Sequence, residues 1–167
     1  MDTRKLVSVL KEKFEKKIKA ESLDVPFPFL QIDSAVILDV LSFCATEAEM
    51  GFDYLENLSV VDTGKEFSIV YQLYSTKFGH YLNLKSNIER NSAKAVSVST
   101  VWPAAIYYEI EAAELFGLVF EGNAEKKHLL LPDDWNGFPL RKDYVFPTEY
   151  HGIEHRRVPL RKEHARP

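Results

Sequence analysis

Three small sets of side chains could do chemistry in this chain. Glu109, Glu111 and Glu114 stand close together. Glu111 and Glu114, three apart, would share one face of a helix, and such a pair can move a proton or hold a cation. Acid–base work also needs an enclosing pocket and a third polar group. The plainer expectation is a helix face paired with basic groups of another segment. Asp133 and Asp134 follow Leu129-Leu130-Leu131-Pro132, and adjacent carboxylates are candidate cation ligands. No Gly-bracketed loop of spaced oxygens surrounds them, and Arg141-Lys142-Asp143 lies a few residues on. An ion-pair network joining these two stretches is therefore expected. His151 and His155 are four apart and would share a metal if helical, but Gly152 lies between them and no third ligand or H-E-x-x-H pattern is near.

Other chemistries lack their residues. Cys44 is the one cysteine, so the chain holds neither a disulfide framework nor a cysteine cage for zinc or iron–sulfur. It falls among Leu41, Phe43 and Ala45, where a buried inert thiol is expected. The glycines never approach phosphate-loop or dinucleotide spacing, and no G-x-S-x-G elbow occurs. A metal-dependent enzyme built on Glu111, Glu114, Asp133, Asp134 and a histidine stays open as a distant alternative.

The elements that must position these groups follow from periodicity. The chain has 167 residues, 46% hydrophobic and 28% charged, which fits one globular domain. No run of ~18 apolar residues could span a bilayer, and charges interrupt any signal-peptide core at the N-terminus. Leu6, Leu10, Phe14 and Ile18 predict an amphipathic helix over 3–20. Pro26 and Pro28 force residues 26–32 into an extended edge strand or lead-in. Asp33 is the expected N-cap of a helix running to about Met50, with Gly51 as its stop. The period then becomes two. Phe67, Ile69, Tyr71 and Leu73 alternate with polar positions, and His80, Leu82, Leu84 and Ile88 share one parity. Val96 and Val98 do so in a third run. With residues 53–61 this predicts an antiparallel meander of about four strands, one face covered by helices. Pro103 suits the start of a third helix, which Gly117 closes. The fold expected is α+β in two layers, with helices packed on one face of a mostly antiparallel sheet.

Beyond residue 118 no period survives. Pro132, Pro139, Pro147, Pro159 and Pro167 recur too often for a regular element. Yet Trp135, Phe138, Tyr144, Phe146 and Tyr150 are spaced through the same stretch, more aromatics than a disordered tail carries. Two units are expected: a core domain over 1–118 and an extended segment over 119–167 that docks on a partner. Charge agrees with that division. Residues 1–20 hold seven basic and three acidic side chains, residues 21–140 seven and eighteen, and residues 141–167 seven and four. Basic arms on an acidic body mark an interaction tail. The acidic total argues against nucleic acid and for a protein partner.

The run Glu114-Leu115-Phe116-Gly117, followed by Leu129-Leu130-Leu131-Pro132-Asp133-Asp134-Trp135-Asn136-Gly137-Phe138-Pro139-Leu140-Arg141-Lys142-Asp143-Tyr144, resembles the signature of the 30-kDa subunit, also called the C subunit, of the proton-pumping NADH:quinone oxidoreductase, respiratory complex I. Trp102-Pro103 and Tyr71-Gln72-Leu73-Tyr74-Ser75 extend the likeness to about residues 50–155. Ile110 and Asn123-Ala124 depart from its usual pattern. The resemblance implies a core subunit of the peripheral arm with no cofactor of its own, inactive alone. NADH, FMN, iron–sulfur clusters and quinone would belong to partner subunits. The partners implied are the quinone-cavity (49-kDa-type) subunit and the subunit that holds the terminal iron–sulfur cluster. The place implied is the cytoplasmic face of a bacterial inner membrane, or the matrix face in an organelle. On this view Glu109, Glu111, Glu114, Phe116, Gly117, Asp133, Asp134, Trp135, Gly137, Pro139, Arg141, Lys142, Asp143 and Tyr144 are structural or interfacial. An equivalent subunit of a related membrane-bound hydrogenase or ferredoxin-fed complex is the nearest alternative.

Overall fold

Apolar alternation on one side and helical stripes on the other meet in a single core. The computed structural model describes residues 3–125 and 127–154. Helix α1 (Thr3–Phe14) leads through a 3-10 turn into β1 (Ile18–Ser22), followed by β2 (Phe29–Ile32) and α2 (Ile37–Thr46). The strands β3 (Tyr54–Asp62), β4 (Glu66–Ser75) and β5 (His80–Glu89) come next. Then follow β6 (Lys94–Val96), α3 (Ala105–Phe116), β7 (Val119–Glu121), and a terminal hairpin of β8 (Glu149–Tyr150) and β9 (Ile153–Glu154).

The main sheet runs β1-β2-β5-β4-β3. The expected meander is present, with β3, β4 and β5 pairing antiparallel. On β4, Phe67, Ile69, Tyr71 and Leu73 are wholly buried, while the residues between them are half-buried. They pack with Leu6 and Leu10 of α1, Val40 and Leu41 of α2, and Ala105 and Phe116 of α3. The class is the α+β, mostly antiparallel, two-layer arrangement read from the pattern.

Four local readings change. The first helix ends at Phe14, not residue 20. Ile18 turns into β1 because it pairs with Ile32 of β2, and the backbone bonds of that ladder outweigh the local helical preference. The second helix covers 37–46, not 34–50. Asp33 does cap, but its carboxylate accepts from the Ala35 N–H of a 3-10 turn at 34–36, and the helix closes where Glu47 becomes extended. Strand β2 joins β5 in parallel, so the sheet extends past the meander. The third run leaves the meander altogether: β6 pairs in parallel with β7 in a separate two-stranded sheet.

Two contacts set α3. The Trp102 indole N–H donates to the Phe52 carbonyl (3.2 Å) just before the helix, fixing its start. A bulge at Glu56 frees a ladder carbonyl, and the Tyr108 hydroxyl donates to it at 2.9 Å. Gly117 ends the helix at φ +71°, its N–H bonding the Ala113 carbonyl at 2.8 Å. A left-handed residue at this position satisfies a helix-end carbonyl that would otherwise be orphaned.

Candidate functional site

The acidic residues of α3 are divided by burial. Glu109 is completely buried, Glu114 nearly so, and Glu111 is exposed. The expected Glu111–Glu114 face therefore does not form, because the helix turns Glu111 to solvent. Of the expected basic partners only His128 is present, beside Glu114; the bonds of Glu109 go to amide and hydroxyl groups. Glu109 Oε1 accepts the Val98 N–H at 2.8 Å, and Oε2 accepts the Ser97 hydroxyl at 2.7 Å and the Asn123 amide at 2.9 Å. Burial pushes the Glu109 carboxyl above the usual carboxylate range, against the pull of these donors. The carboxyl thereby joins α3 to the loops flanking β6 and β7. Asn123, a departure from the resembled pattern, completes this set.

Glu114 binds the returning chain. Its Oε2 accepts the Leu129 N–H at 2.9 Å and its Oε1 the Leu130 N–H at 2.8 Å. His128 Nδ1 lies 3.4 Å from Oε2. A buried carboxylate that collects successive amides orients a stretch that joins no strand ladder at that point.

At the end of α3 the same segment supplies a cap. Leu140 N–H bonds the Leu115 carbonyl at 3.0 Å. Arg141 donates through Nε to the Phe116 carbonyl and through Nη2 to the Gly117 carbonyl at 3.2 Å. Its guanidinium lies 4.6 Å from the Phe138 ring centre and 5.3 Å from that of Phe67. A cation on the free carbonyls of a helix C-terminus also meets the negative end of its dipole. This corrects the expected pairing of Arg141 with Asp133 or Asp134: exposed helix-end carbonyls and two ring faces offer the planar fork more than one carboxylate would. Gly117 is required twice over, since a Cβ there would fall 2.5 Å from the Phe138 ring and 2.6 Å from Arg141 Nη2.

The next two residues attach the segment to the sheet. Lys142 N–H donates to Asp62 Oδ2 at 2.9 Å, and Gly64 N–H to Asp62 Oδ1 at 2.7 Å. Arg90 Nη2 bridges Asp62 (2.9 Å) and Asp143 (2.6 Å). Burial alone would raise the Asp62 carboxyl, but the two amides and the Arg90 charge outweigh it and hold the group below its ordinary value. Asp143 thus joins an ion pair, though with Arg90 and not with the Asp133-Asp134 stretch.

Further along, Asp134 accepts from the Tyr150 hydroxyl (2.8 Å) and pairs with His151 Nε2 (2.7 Å). Asp133 is exposed. The Trp135 ring lies 6.0 Å from Phe146 and 5.4 Å from Tyr150, and Tyr144 packs on Phe146 at 5.6 Å. Gly137 gives room to the Tyr144 ring, which would lie 2.9 Å from a Cβ there, and Pro139 is half-buried nearby. Of the His151–His155 pair, His155 lies outside the described residues. Among the described residues no cluster of three or more His, Cys, Asp or Glu side chains could hold a metal.

A groove of about 360 Å³ runs between α3 and the returning chain, with Glu109, Glu114, Phe120, His128 and Phe138 among its walls. Leu129, Leu130, Leu140 and Val145 of that chain are exposed. The arrangement thus turns polar anchors inward and leaves apolar side chains outside. Sequence reasoning missed Asp62, Arg90, Ser97 and Asn123 as members of this site. The bond that Asp62 accepts from Lys142 spans 80 positions, beyond the reach of any local pattern.

The family model described as the respiratory-chain NADH dehydrogenase 30 Kd subunit matches residues 30–150. The C subunit of the NADH-quinone oxidoreductase of Chlorobium phaeobacteroides is 35% identical over 150 residues, 87% of this chain and 90% of that one. The C/D subunit of the NADH-quinone oxidoreductase of Acinetobacter baumannii is 30% identical over 156 residues, 87% of this chain but 26% of that longer protein. In fold, the chain is similar to one in the solved structure of the membrane-bound sulfane sulfur reductase, an archaeal respiratory membrane complex. There the TM-score is 0.72 at 24% identity, over 85% of each chain. No helix among the described residues is long and apolar enough to cross a membrane.

Proposed function

The chain belongs to the 30-kDa subunit family of the respiratory-chain NADH dehydrogenase, and we propose that within such an assembly it is a non-catalytic core subunit of the peripheral arm. It holds the segment over 127–154 in one shape and presents it to the quinone-cavity (49-kDa-type) subunit, near the subunit with the terminal iron–sulfur cluster. In this reading NADH, FMN, the clusters and quinone bind to partner chains. This chain supports electron transfer from NADH to quinone, coupled to ion pumping elsewhere, by keeping those partners in register on the cytoplasmic face of the membrane.

One observation carries the reading: the anchors Glu114, Arg141 and Asp62 are spent on this chain's own backbone, while Leu129, Leu130 and Leu140 stay exposed on the segment they anchor. A shape fixed before docking loses less entropy on binding. The Acinetobacter baumannii relative, which unites C and D in one polypeptide, supports adjacency of those two subunits.

The test replaces outward side chains only. Leu130→Asp with Leu140→Asp should leave the circular dichroism of the isolated chain unchanged and deplete the subunit from membrane complexes, with NADH:quinone activity falling in proportion. Normal assembly with lower turnover per complex would overturn the non-catalytic role.

A further inference from the structure

The face of the main sheet that the helices leave open carries a row of aromatic rings at one end. Tyr54 of β3 lies opposite Tyr74 of β4, and Tyr74 opposite Tyr81 of β5. The Tyr74 and Tyr81 rings are 4.5 Å apart, centre to centre. Tyr54 is 49% exposed and Tyr81 53%. Phe29 pairs with Asn83, so Phe27, two residues earlier and 77% exposed, continues the row beside Tyr81. The next row along the strands is made of amides: Asn57, Gln72 and Asn83. Asn57 Nδ2 donates to Gln72 Oε1 at 3.1 Å, which leaves Gln72 Nε2 at the surface as a donor. Phe27, Tyr81, Gln72 and Asn83 line a groove of about 710 Å³, and the exposed Glu56 is the one carboxylate among its described walls. Among the described residues the Glu56 side chain has no ion-pair partner. This end of the sheet is far from the anchors of the segment over 127–154. Tyr74 lies roughly 23 Å along β4 from Phe67, the residue opposite Asp62.

We propose that this face docks a proline-rich segment of a partner protein, held as a polyproline II helix that crosses the strands, with a basic residue at its end over Glu56. Tyr54 and Tyr81 stand two strands apart, ~9.6 Å at the usual strand spacing. A polyproline II helix repeats every three residues, ~9.3 Å, so prolines on one of its faces meet both exposed tyrosines in register. A β-strand repeats its faces every ~6.8 Å and falls out of step with the same rings. Polyproline II makes no internal hydrogen bonds, so its carbonyls are free to accept from Gln72 Nε2 and from the tyrosine hydroxyls. Aromatic-lined grooves recognise such segments because they arrive already ordered. Glu56, two residues from Tyr54, puts the one uncompensated charge at the β3 end of the row. That charge attracts an arginine or lysine and repels phosphate, which tells against a single-stranded nucleic acid that could also stack on the rings.

Fluorescence anisotropy of the full chain with a labelled peptide of eight prolines followed by arginine tests this. The wild type should bind it saturably. A (Gly-Ser)4-Arg peptide of the same length and charge, which is not ordered in advance, should bind at least ~10-fold more weakly. Tyr54→Ser with Tyr81→Ser should cost ~10-fold or more in affinity while the circular dichroism stays unchanged. Glu56→Gln, too slight a change to unfold the sheet, should weaken binding about 2- to 5-fold, the worth of an exposed ion pair, and leave a peptide of nine prolines unaffected. No binding by the wild type, equal binding of the two arginine peptides, or unchanged affinity in either variant would overturn the proposal. So would tighter binding of an oligouridylate or a malto-oligosaccharide, or self-association of the chain that the double variant abolishes, since each assigns the rings to another occupant.

Discussion

The β4–β5 ladder and the segment over 127–154 lie in one molecule but are held by opposite means. The ladder pairs residue for residue from Glu66–Glu89 to Ser75–His80, and its inner side chains are buried without gaps in the alternation. In the described part of the segment no residue is buried. Its conformation depends on a few bonds into the body, at Glu114, at the end of α3, and at Asp62. The ladder spreads its stability over many small contacts. The segment concentrates its own in individual residues and keeps its surface free.

The largest effect should come from the ladder. Ile69→Ala should cost about 2–5 kcal/mol in denaturant unfolding, the range for deleting a fully buried aliphatic side chain. Val145→Ala in the segment, at 86% exposure, should change stability by no more than about 0.5 kcal/mol. Equal effects would erase the contrast. The next largest should come from Gly117→Ala, which acts where the two regions meet. A non-glycine residue held at that positive φ costs about 1–3 kcal/mol, and the Cβ must also displace Phe138 or Arg141. Limited proteolysis should then cut within 127–150 while the sheet stays protected. Arg141→Lys should come third, at about 1 kcal/mol, since one ammonium can reach one carbonyl but cannot stack between Phe67 and Phe138. Assembly of the membrane complex with this variant should fall only in part. Full assembly with Arg141→Lys would show that the stacked fork is dispensable.

The same contrast explains what the residue types alone disclose. A period of two is written along Phe67–Leu73 and His80–Ile88, so the meander was legible. Gly117 was legible as a stop because only one residue type suits the left-handed position cheaply. The parallel pairing of β2 with β5 was not, because two prolines say that a chain is extended and nothing about its neighbour. Strands β6 and β7 have three residues each, too few to show a period. At the site, the signature residues were visible as a group, but their partners were not. Carboxylates suggested basic side chains and Arg141 suggested a carboxylate, whereas most of the actual partners are backbone groups. Every residue carries those groups, so no letter of the sequence marks them.

The smallest effect should be at the segment's far end, where Asp134 holds Tyr150 and His151 at the surface. The Tyr150 hydroxyl bond, then the His151 contact, keep the Asp134 carboxyl below its ordinary value, and the same bond keeps the Tyr150 phenol above its own. The two signs bound a window. Because the folded carboxylate pKa is lowered, the contribution of Asp134 is complete above the usual carboxylate range near ~4 and is lost as pH falls through the lowered value. Because the folded phenol pKa is raised, the contribution of Tyr150 is complete below its ordinary value near ~10 and is lost as pH rises through the raised one. The clip should thus be intact across neutral pH and open at both extremes while the sheet persists. Ring resonances of Tyr150, followed against pH, should move at the acid limb before any sheet resonance does. Asp134→Asn should remove the acid limb and lower the pH at which Tyr150 ionises. Identical titrations in wild type and variant would mean that these three side chains do not form a clip, and that the hairpin is set by the aromatic packing of Trp135 and Tyr150 alone.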